Sequence, residues 1–472
     1  MKIFNTMRRQ KEDLVTLEPG KVKVYACGPT VYNFFHIGNA RPFITFDTLR
    51  RYLEYRGYVV EFCQNFTDID DKMIRKANAE GISVRELADK YIAEYYADAD
   101  KLHILRPTYQ PRATETMDEI IEMIAALEEK DIAYLLDDGV YYDVSKFGNY
   151  GCLSHMHLDE LQEGAGNRDI QAAGKRSPMD FALWKLKKEG EPFWASPWGD
   201  GRPGWHIECS AMIKKYLGDT IDIHGGGQDL IFPHHENEIA QSEAANGTPF
   251  VRYWMHNGFI NVDNEKMSKS AGNFFTVRDI VEKYDYDVVR FFIVSGQYRM
   301  PINFSADLLQ AATNSLNRIR NGVENVRFKA KAAPASDASA EARKEMETAI
   351  LSAKKDFVAA MDDDLNTADA ITAVFELVRA ANSAAADGLV SGAILNKAAD
   401  MIAELMDVLG VPVEFAENEE GAIPAEVSEL VEKRAEAKVG KNFILADALR
   451  DQIAALGYQV KDTPQGPQIT KM

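Results

Sequence analysis

Between Lys21 and Gly81 the chain switches twice between two periodicities, and that alternation leaves few folds open. Residues 21–30, KVKVYACGPT, alternate apolar and polar side chains and then break at Gly28-Pro29. This predicts a strand running into a turn. Residues 40–57, ARPFITFDTLRRYLEYRG, place Phe43, Phe46, Leu49, Leu53 and Tyr55 near helical spacing, with Gly57 positioned to close the helix. YVVEFCQNF, 58–66, is a second strand candidate. Thr67 and Asp68, both good capping types, lead from it into a helix near IDDKMIRKANAEG. Parallel neighbours need a long connection, so strand, helix, strand, helix predicts a parallel sheet with crossover helices.

The pattern then lapses and returns. Residues 115–130 look helical, whereas 134–204 are rich in glycine, proline and aromatics and predict an irregular insertion. ECSAMIKKYLG, 208–218, suits a helix closed by Gly218, and DTIDIHGGGQD, 219–229, a strand entering a glycine-rich loop. PHHENEIAQSEAANG, 233–247, suits a helix with Pro233 in its first turn, acidic residues early and Gly247 after its end. From about 306 to 408 the chain has helical periodicity, broken by AAPASDASA at 332–340. A second break spans Val411 to Pro424, followed by a helix near NFILADALRDQIAALG and a short polar tail.

At 472 residues the chain suggests two to four domains, and 46% hydrophobic with 27% charged residues is ordinary for a globular protein. The N-terminus MKIFNTMRRQKEDLV lacks an apolar signal core, and no apolar run is long enough to span a membrane. A soluble cytoplasmic protein is expected. Four cysteines, Cys27, Cys63, Cys152 and Cys209, are too sparse for a disulfide scaffold. The net charge of −19 opposes nucleic-acid binding unless the cations cluster.

Three local features carry chemistry: HIGN at 36–39, HGGGQD at 224–229 and KMSKSAGN at 266–273. The first two set a histidine beside glycine at the exit of a predicted strand, where open parallel sheets bind ligands. Gly38, Gly225 and Gly226 would let backbone approach a nucleotide, and a helix starting near Asn39 would aim its positive end at phosphate. Neither loop is a Walker A or GxGxxG motif, which disfavours P-loop and ordinary dinucleotide enzymes. Lys266 and Lys269 could neutralise a departing pyrophosphate; the bland alternative is a solvated basic loop.

Five of nine histidines fall between 206 and 256. His234 and Glu238 are i and i+4 on a predicted helix, Cys209 lies just upstream, and Cys27 closes the first strand. Two sulfurs, a nitrogen and an oxygen make a reasonable zinc set, although His235, three before Glu238, is an equal candidate by spacing. The bland alternative is a buried thiol near a core histidine.

HIGN followed by KMSKS some 230 residues later resembles the paired signature of class I aminoacyl-tRNA synthetases. CGPTVYNFFHIGNARPFITFD, SPWGDGRPGWHIECSAM, DIHGGGQDLIFPHHENEIAQSEA and WMHNGFINVDNEKMSKSAGNFF are similar to the cysteine-specific branch, as are NFTDIDDKMI and DDDLNTADAITAVFELVRAAN. The resemblance implies an α/β Rossmann-type catalytic domain with a connective insertion, then an α-helical bundle that binds the anticodon and a small C-terminal domain. The implied boundaries are 1–115 and 205–265 for the catalytic halves, 116–204 for the insertion, 266–305 for the KMSKS loop and stem contact, 306–410 for the bundle and 411–472 for the remainder.

The resemblance also implies residue roles. Zinc, one ion per chain, falls on Cys27, Cys209, His234 and Glu238. ATP, with Mg²⁺, falls on His36, Gly38, Asn39, Gly225, Gly226, Lys266 and Lys269, with His36, Asn39 and the two lysines catalytic. Gly28, Thr67, Trp205, His224 and Asp229 fall around the amino acid, L-cysteine, which is carried to tRNA(Cys) by a monomer. Two departures stand out. The family has a tryptophan after the final PQG, where this chain reads PQGPQITKM, and the insertion reads GAGNRD in place of Gly-Ala-Arg. A sugar-modifying cysteine ligase on the same core is the competing reading; the roughly 165 residues after Asn303 oppose it.

Overall fold

The computed structural model describes residues 1–156, 174–262, 265–266, 275–414, 424–463 and 466–471. Its centre is a parallel sheet of four strands. In chain order the core elements are β1 (Lys21–Ala26), α1 (Ile37–Tyr55), β2 (Val59–Gln64), α2 (Trp205–Leu217), β3 (Ile221–Gly227), α3 (Glu236–Asn246) and β4 (Val251–Asn257). The strand order is β4-β3-β1-β2, all parallel. The successive residues Val24 and Tyr25 of β1 and Ile223 and His224 of β3, which point to opposite faces, are all fully buried, as a sheet covered on both faces requires.

This order fixes where a ligand can sit. The chain steps outward from β1 to β2 on one side and from β3 to β4 on the other. The loops leaving β1 and β3 therefore diverge, and a crevice opens at their carboxyl ends. The strands and helices expected from the sequence lie close to their predicted places. Gly57 and Gly247 adopt positive φ (86° and 72°) just past α1 and α3, where a left-handed residue ends a helix.

Several expectations need correction. The Asp71–Glu80 helix is capped by Asp70, whose side chain accepts from Met73 N, and not by Thr67 or Asp68. Asp68 instead accepts from the backbone and hydroxyl of Thr114. The described residues of 134–204 carry more regular structure than expected. Strands Ala133–Leu136, Gly139–Tyr142, Phe181–Leu186 and Gly201–Pro203 form an antiparallel sheet, each too short to reveal a period of two. The GAGNRD variation lies outside the described residues. β3 runs through the glycines to Gly227 rather than ending before them. Pro233 sits in a π-turn, Ile231–His235, ahead of α3.

The chain divides into two compact units. The first holds 1–313 together with 356–371 and 408–411. Within it Asp364, fully buried, accepts from Phe4 N, Tyr298 Oη and Arg299 Nε, all at 2.7–2.8 Å. The second holds 314–355, 372–407 and 412–472. Its helical part buries Leu316, Ile319, Val323, Ile350, Leu377 and Ile402. The end of the chain is more ordered than a polar tail. Helices Ala425–Val439 and Phe443–Ala455 pack on a hairpin of Tyr458–Thr463 and Gly466–Lys471, with Arg434 paired to Asp462 through two 2.8 Å bonds. Gln465 lies outside the described residues.

Gly225 illustrates how tightly α1 packs on the sheet. A Cβ there would lie 2.0 Å from Phe46 Cζ. Gly225→Ala should therefore cost about 1–3 kcal/mol, the usual range for overpacking. Gly148→Ala, where a Cβ meets nothing within 4 Å, should stay within about 0.5 kcal/mol. Denaturant midpoints of the two variants check this.

Candidate functional site

The crevice at the ends of β1 and β3 is a cavity of about 450 Å³. Cys27 and Gly28, leaving β1, form part of its wall; His36, Gly38 and Asn39 of the HIGN turn form another; Trp205 and Asp229 line it as well. Gly28 is required here because a Cβ would fall 1.6 Å from Asn65 O. Its amide instead donates to Asn65 Oδ1 at 2.9 Å, joining the loops after β1 and β2. Thr67 is buried in that seam, bonded through its backbone to Pro29 and Val31.

α1 begins at Ile37, with His36 as its cap residue and no acidic side chain in its first turn, so its positive end is uncompensated at the cavity. The same turn is tied to the chain beyond KMSKS. Ile37 N donates to Phe275 O and Val277 N to Phe35 O. On the near side, strand Glu265–Lys266 pairs with Asn261 and Val262. Lys266 is thus placed by its backbone, and Lys269 lies outside the described residues. Gly225 and Gly226 do not line the cavity: the first faces Phe46, and a Cβ on the second would meet Leu230 and His235.

Beneath the cavity lies a buried group of thiols, imidazoles and a carboxylate. Cys27 Sγ, Cys209 Sγ, His234 and Glu238 place donor atoms within 4.8 Å of one another. His234 Nε2 is 3.0 Å from Glu238 Oε1, Cys209 Sγ is 3.6 Å from His234 Nε2, and Cys27 Sγ is 3.7 Å from Glu238 Oε1. A tetrahedral zinc with bonds of about 2.0–2.3 Å sets its donors about 3.3–3.8 Å apart, so this set is nearly the right size.

A second set, Cys27, His224, His235 and Glu238, meets the same distance criterion. Hydrogen bonding separates the two. The far nitrogen of His234, Nδ1, lies 2.9 Å from His206 Nδ1. Burial holds His206 well below its usual range, so it is neutral and can accept that proton, the supporting contact a metal-bound histidine needs. His224 Nδ1 is buried with no partner among the described residues. As a ligand through Nε2, His224 would leave an N–H stranded; as a donor from Nε2 to Glu238 Oε2, at 2.8 Å, it leaves only a lone pair. His235, in contrast, has its Nδ1 backed by His256 at 2.8 Å and its Nε2 3.3 Å from Cys27 Sγ. Both sets could hold a metal, and the second differs from the first in needing His224.

The charges agree. Burial opposes ionisation of Glu238, yet His224 and His234 hold its carboxyl at about 2. Burial also opposes charge on His234, but Glu238 and Cys209 lift it to about 10. Of the two thiols, burial pushes Cys27 up, while the hydrogen bond from Cys27 lowers Cys209. A buried thiolate and carboxylate whose described ion pairs are with histidines alone form a place for a cation.

Sequence reasoning missed the supporting residues. His206 lies three residues before Cys209 on α2, a spacing that could have pointed to it, whereas His256 comes from β4 and has no local spacing to the cluster. Glu236 was also missed: fully buried on α3, it accepts from the amides of Gly151, Leu153 and Ser154 and holds the insertion against the helix that bears His234 and Glu238.

The chain matches the catalytic domain of tRNA synthetases class I (C) over residues 13–314 and the DALR domain over 356–414. A curated relative, "Cysteine--tRNA ligase" of Caldicellulosiruptor saccharolyticus, is 54% identical over 472 residues, covering 100% of both chains. Methionyl-tRNA synthetase of Mycobacterium tuberculosis in complex with methionyl-adenylate has a TM-score of 0.62 at 15% identity, over 82% of this chain and 91% of that one. LeuRS of Agrobacterium radiobacter K84, in a ternary complex with tRNA-LeuAMS, has a TM-score of 0.61 at 12% identity, over 84% of each. At such identities the two structures speak to fold alone.

The donor geometry predicts that Cys209→Ser loses bound metal, whereas Cys152→Ser, outside the cluster, keeps it. Mass-spectrometric metal analysis of purified variants, with circular dichroism to confirm folding, decides it; full occupancy in Cys209→Ser would remove Cys209 from the set.

Proposed function

Because the chain belongs to the cysteine–tRNA ligase family of class I tRNA synthetases, we propose that it activates L-cysteine with ATP to cysteinyl-adenylate, transfers it to the 3′ end of tRNA(Cys), and selects cysteine through a zinc ion. Aminoacylation by an enzyme of this class follows from the family; the adenylate, the metal and the residue roles are the finer reading.

In the first step a carboxylate oxygen of cysteine attacks the α-phosphorus of ATP, and pyrophosphate leaves. In the second a terminal ribose hydroxyl of tRNA attacks the acyl carbon, and AMP leaves. Neither step needs a protein nucleophile, so catalysis is positioning and charge stabilisation. The uncompensated N-terminus of α1, with His36, Gly38 and Asn39, suits the nucleotide phosphates. Lys266 and Lys269 would meet the departing pyrophosphate, and Mg²⁺ would accompany ATP. Trp205 and Asp229, on the cavity wall with Gly28, suit the amino acid, while Thr67 and His224 hold that wall from behind.

Selectivity is the harder demand. Serine differs from cysteine by one atom, and a shape difference of that order separates substrates by only about 1–3 kcal/mol. Cys27, Cys209, His234 and Glu238 would hold zinc beneath the cavity, with Cys27 on its wall. When bound, zinc supplies a soft acceptor that takes a thiolate far better than an alcohol. His224 keeps Glu238 ionised and oriented, and Trp205, stacked on His234 at 4.2 Å, fixes that imidazole from the cavity side. The cluster of four buried donors is the observation that carries this reading. Within the described residues no helix is long and apolar enough to cross a membrane.

Cysteine-dependent ATP–pyrophosphate exchange, run against serine and the other amino acids with metal measured in the same sample, tests it. Exchange confined to cysteine in metal-loaded protein is expected. Active protein without metal, or serine used as readily as cysteine, overturns it. Lys269→Ala should keep its metal yet lose about 100-fold or more in exchange, as removal of a charge-stabilising donor does.

A further inference from the structure

One cavity-lining residue is left unused by the reading above. Lys72 sits in the first turn of the Asp71–Glu80 helix and is exposed at the cavity wall. Among the described residues lining the cavity it is the one lysine or arginine. Its ammonium lies 5.9 Å from the centroid of Tyr32, another lining residue, and among the described residues it pairs with no carboxylate. Its neighbours behave otherwise. Asp71 is bonded to Lys185, at 2.9 Å, and to Arg202, both in the inserted sheet. Lys76 and Lys90 each lie 3.6 Å from Glu80. A lysine left without an anion in a chain of net charge −19 is available to a ligand that brings its own negative charge.

Two substrates bring phosphate. The wall assigned above to the nucleotide is built from α1 and the 257–260 segment; the flanks of KMSKS are tied to Phe35 and Ile37 at the start of α1 and to Asn261 and Val262 just after that segment. Lys72, Tyr32 and Tyr91 form a different wall, from the loop after β1 and the two helices Asp71–Glu80 and Val84–Lys101. An ammonium beside a tyrosine face suits a nucleic-acid strand: the charge meets a phosphate and the ring a base or ribose. We propose that Lys72 binds a phosphate of the tRNA 3′ end as that end enters the cavity. This rests on the reading of the chain as a cysteine–tRNA ligase.

The full-length, metal-loaded protein and tRNA(Cys) suffice for the test. Lys72→Ala and Lys72→Arg are compared with the parent in cysteine-dependent ATP–pyrophosphate exchange and in tRNA charging, each across a salt series. Lys72 makes no buried contact, so the melting temperature should not move. In Lys72→Ala, kcat/KM for tRNA should fall about tenfold, the worth of one charged hydrogen bond, and exchange should fall far less. The slope of log kcat/KM for tRNA against log salt should become shallower by about one, and Lys72→Arg should recover most of both effects. An equal fall in exchange and charging would place the ammonium on ATP and overturn the proposal, as would unaltered charging. Parent protein that exchanges no pyrophosphate with cysteine would instead refute the functional reading itself.

Discussion

Glu238 is a carboxylate with no access to water, and much of the site is arranged around its charge. An isolated ion so placed would cost several kcal/mol. One oxygen is met by His224 from β3, the other by His234 from the turn before α3, with the Cys27 thiol of the loop after β1 nearby. Behind these stand His206 and His256, each neutral because burial disfavours its charge. These two outer imidazoles can orient protons without adding positive charge that would compete with a metal.

A second constraint links that floor to the nucleotide side. Arg41, one turn into α1 and almost fully buried, donates to the carbonyls of Phe259, Gln297, Tyr298 and Met300 without a carboxylate partner among them. It binds the HIGN helix to the two segments that approach and follow KMSKS. Arg290, fully buried, pairs with Asp47 on the same helix and reaches the carbonyls of Leu102 and Leu409. Charged hydrogen bonds in a dry setting are strong only while complete, so the helix carrying the phosphate-facing turn is held rigidly.

The sheet and its crossover helices were legible because each has a local signature, and the resemblance named four residues that the structure places within 4.8 Å of one another. The antiparallel insertion was not, since its strands are only three to six residues long and two of their three connections are long, which leaves no measurable period. Asp70 as a cap was missed because three of the four residues from Thr67 to Asp70 are plausible caps; backbone geometry decided among them. The glycines after His224 suggest close backbone approach to a nucleotide, whereas packing of Phe46 against Gly225 gives at least one of them a structural reason.

The sequence by itself determined that a parallel sheet presents Cys27 and the HIGN turn at the same edge, and which residue types could hold a soft metal. It left His234 and His235 equivalent by spacing, because both can share a helical face with Glu238. Tertiary structure alone shows what backs each of them: His206 from α2 stands behind His234 and His256 from β4 behind His235. The two donor sets differ at His224, whose Nδ1 has no partner among the described residues. Such contacts join residues far apart in the chain, and no local period encodes them.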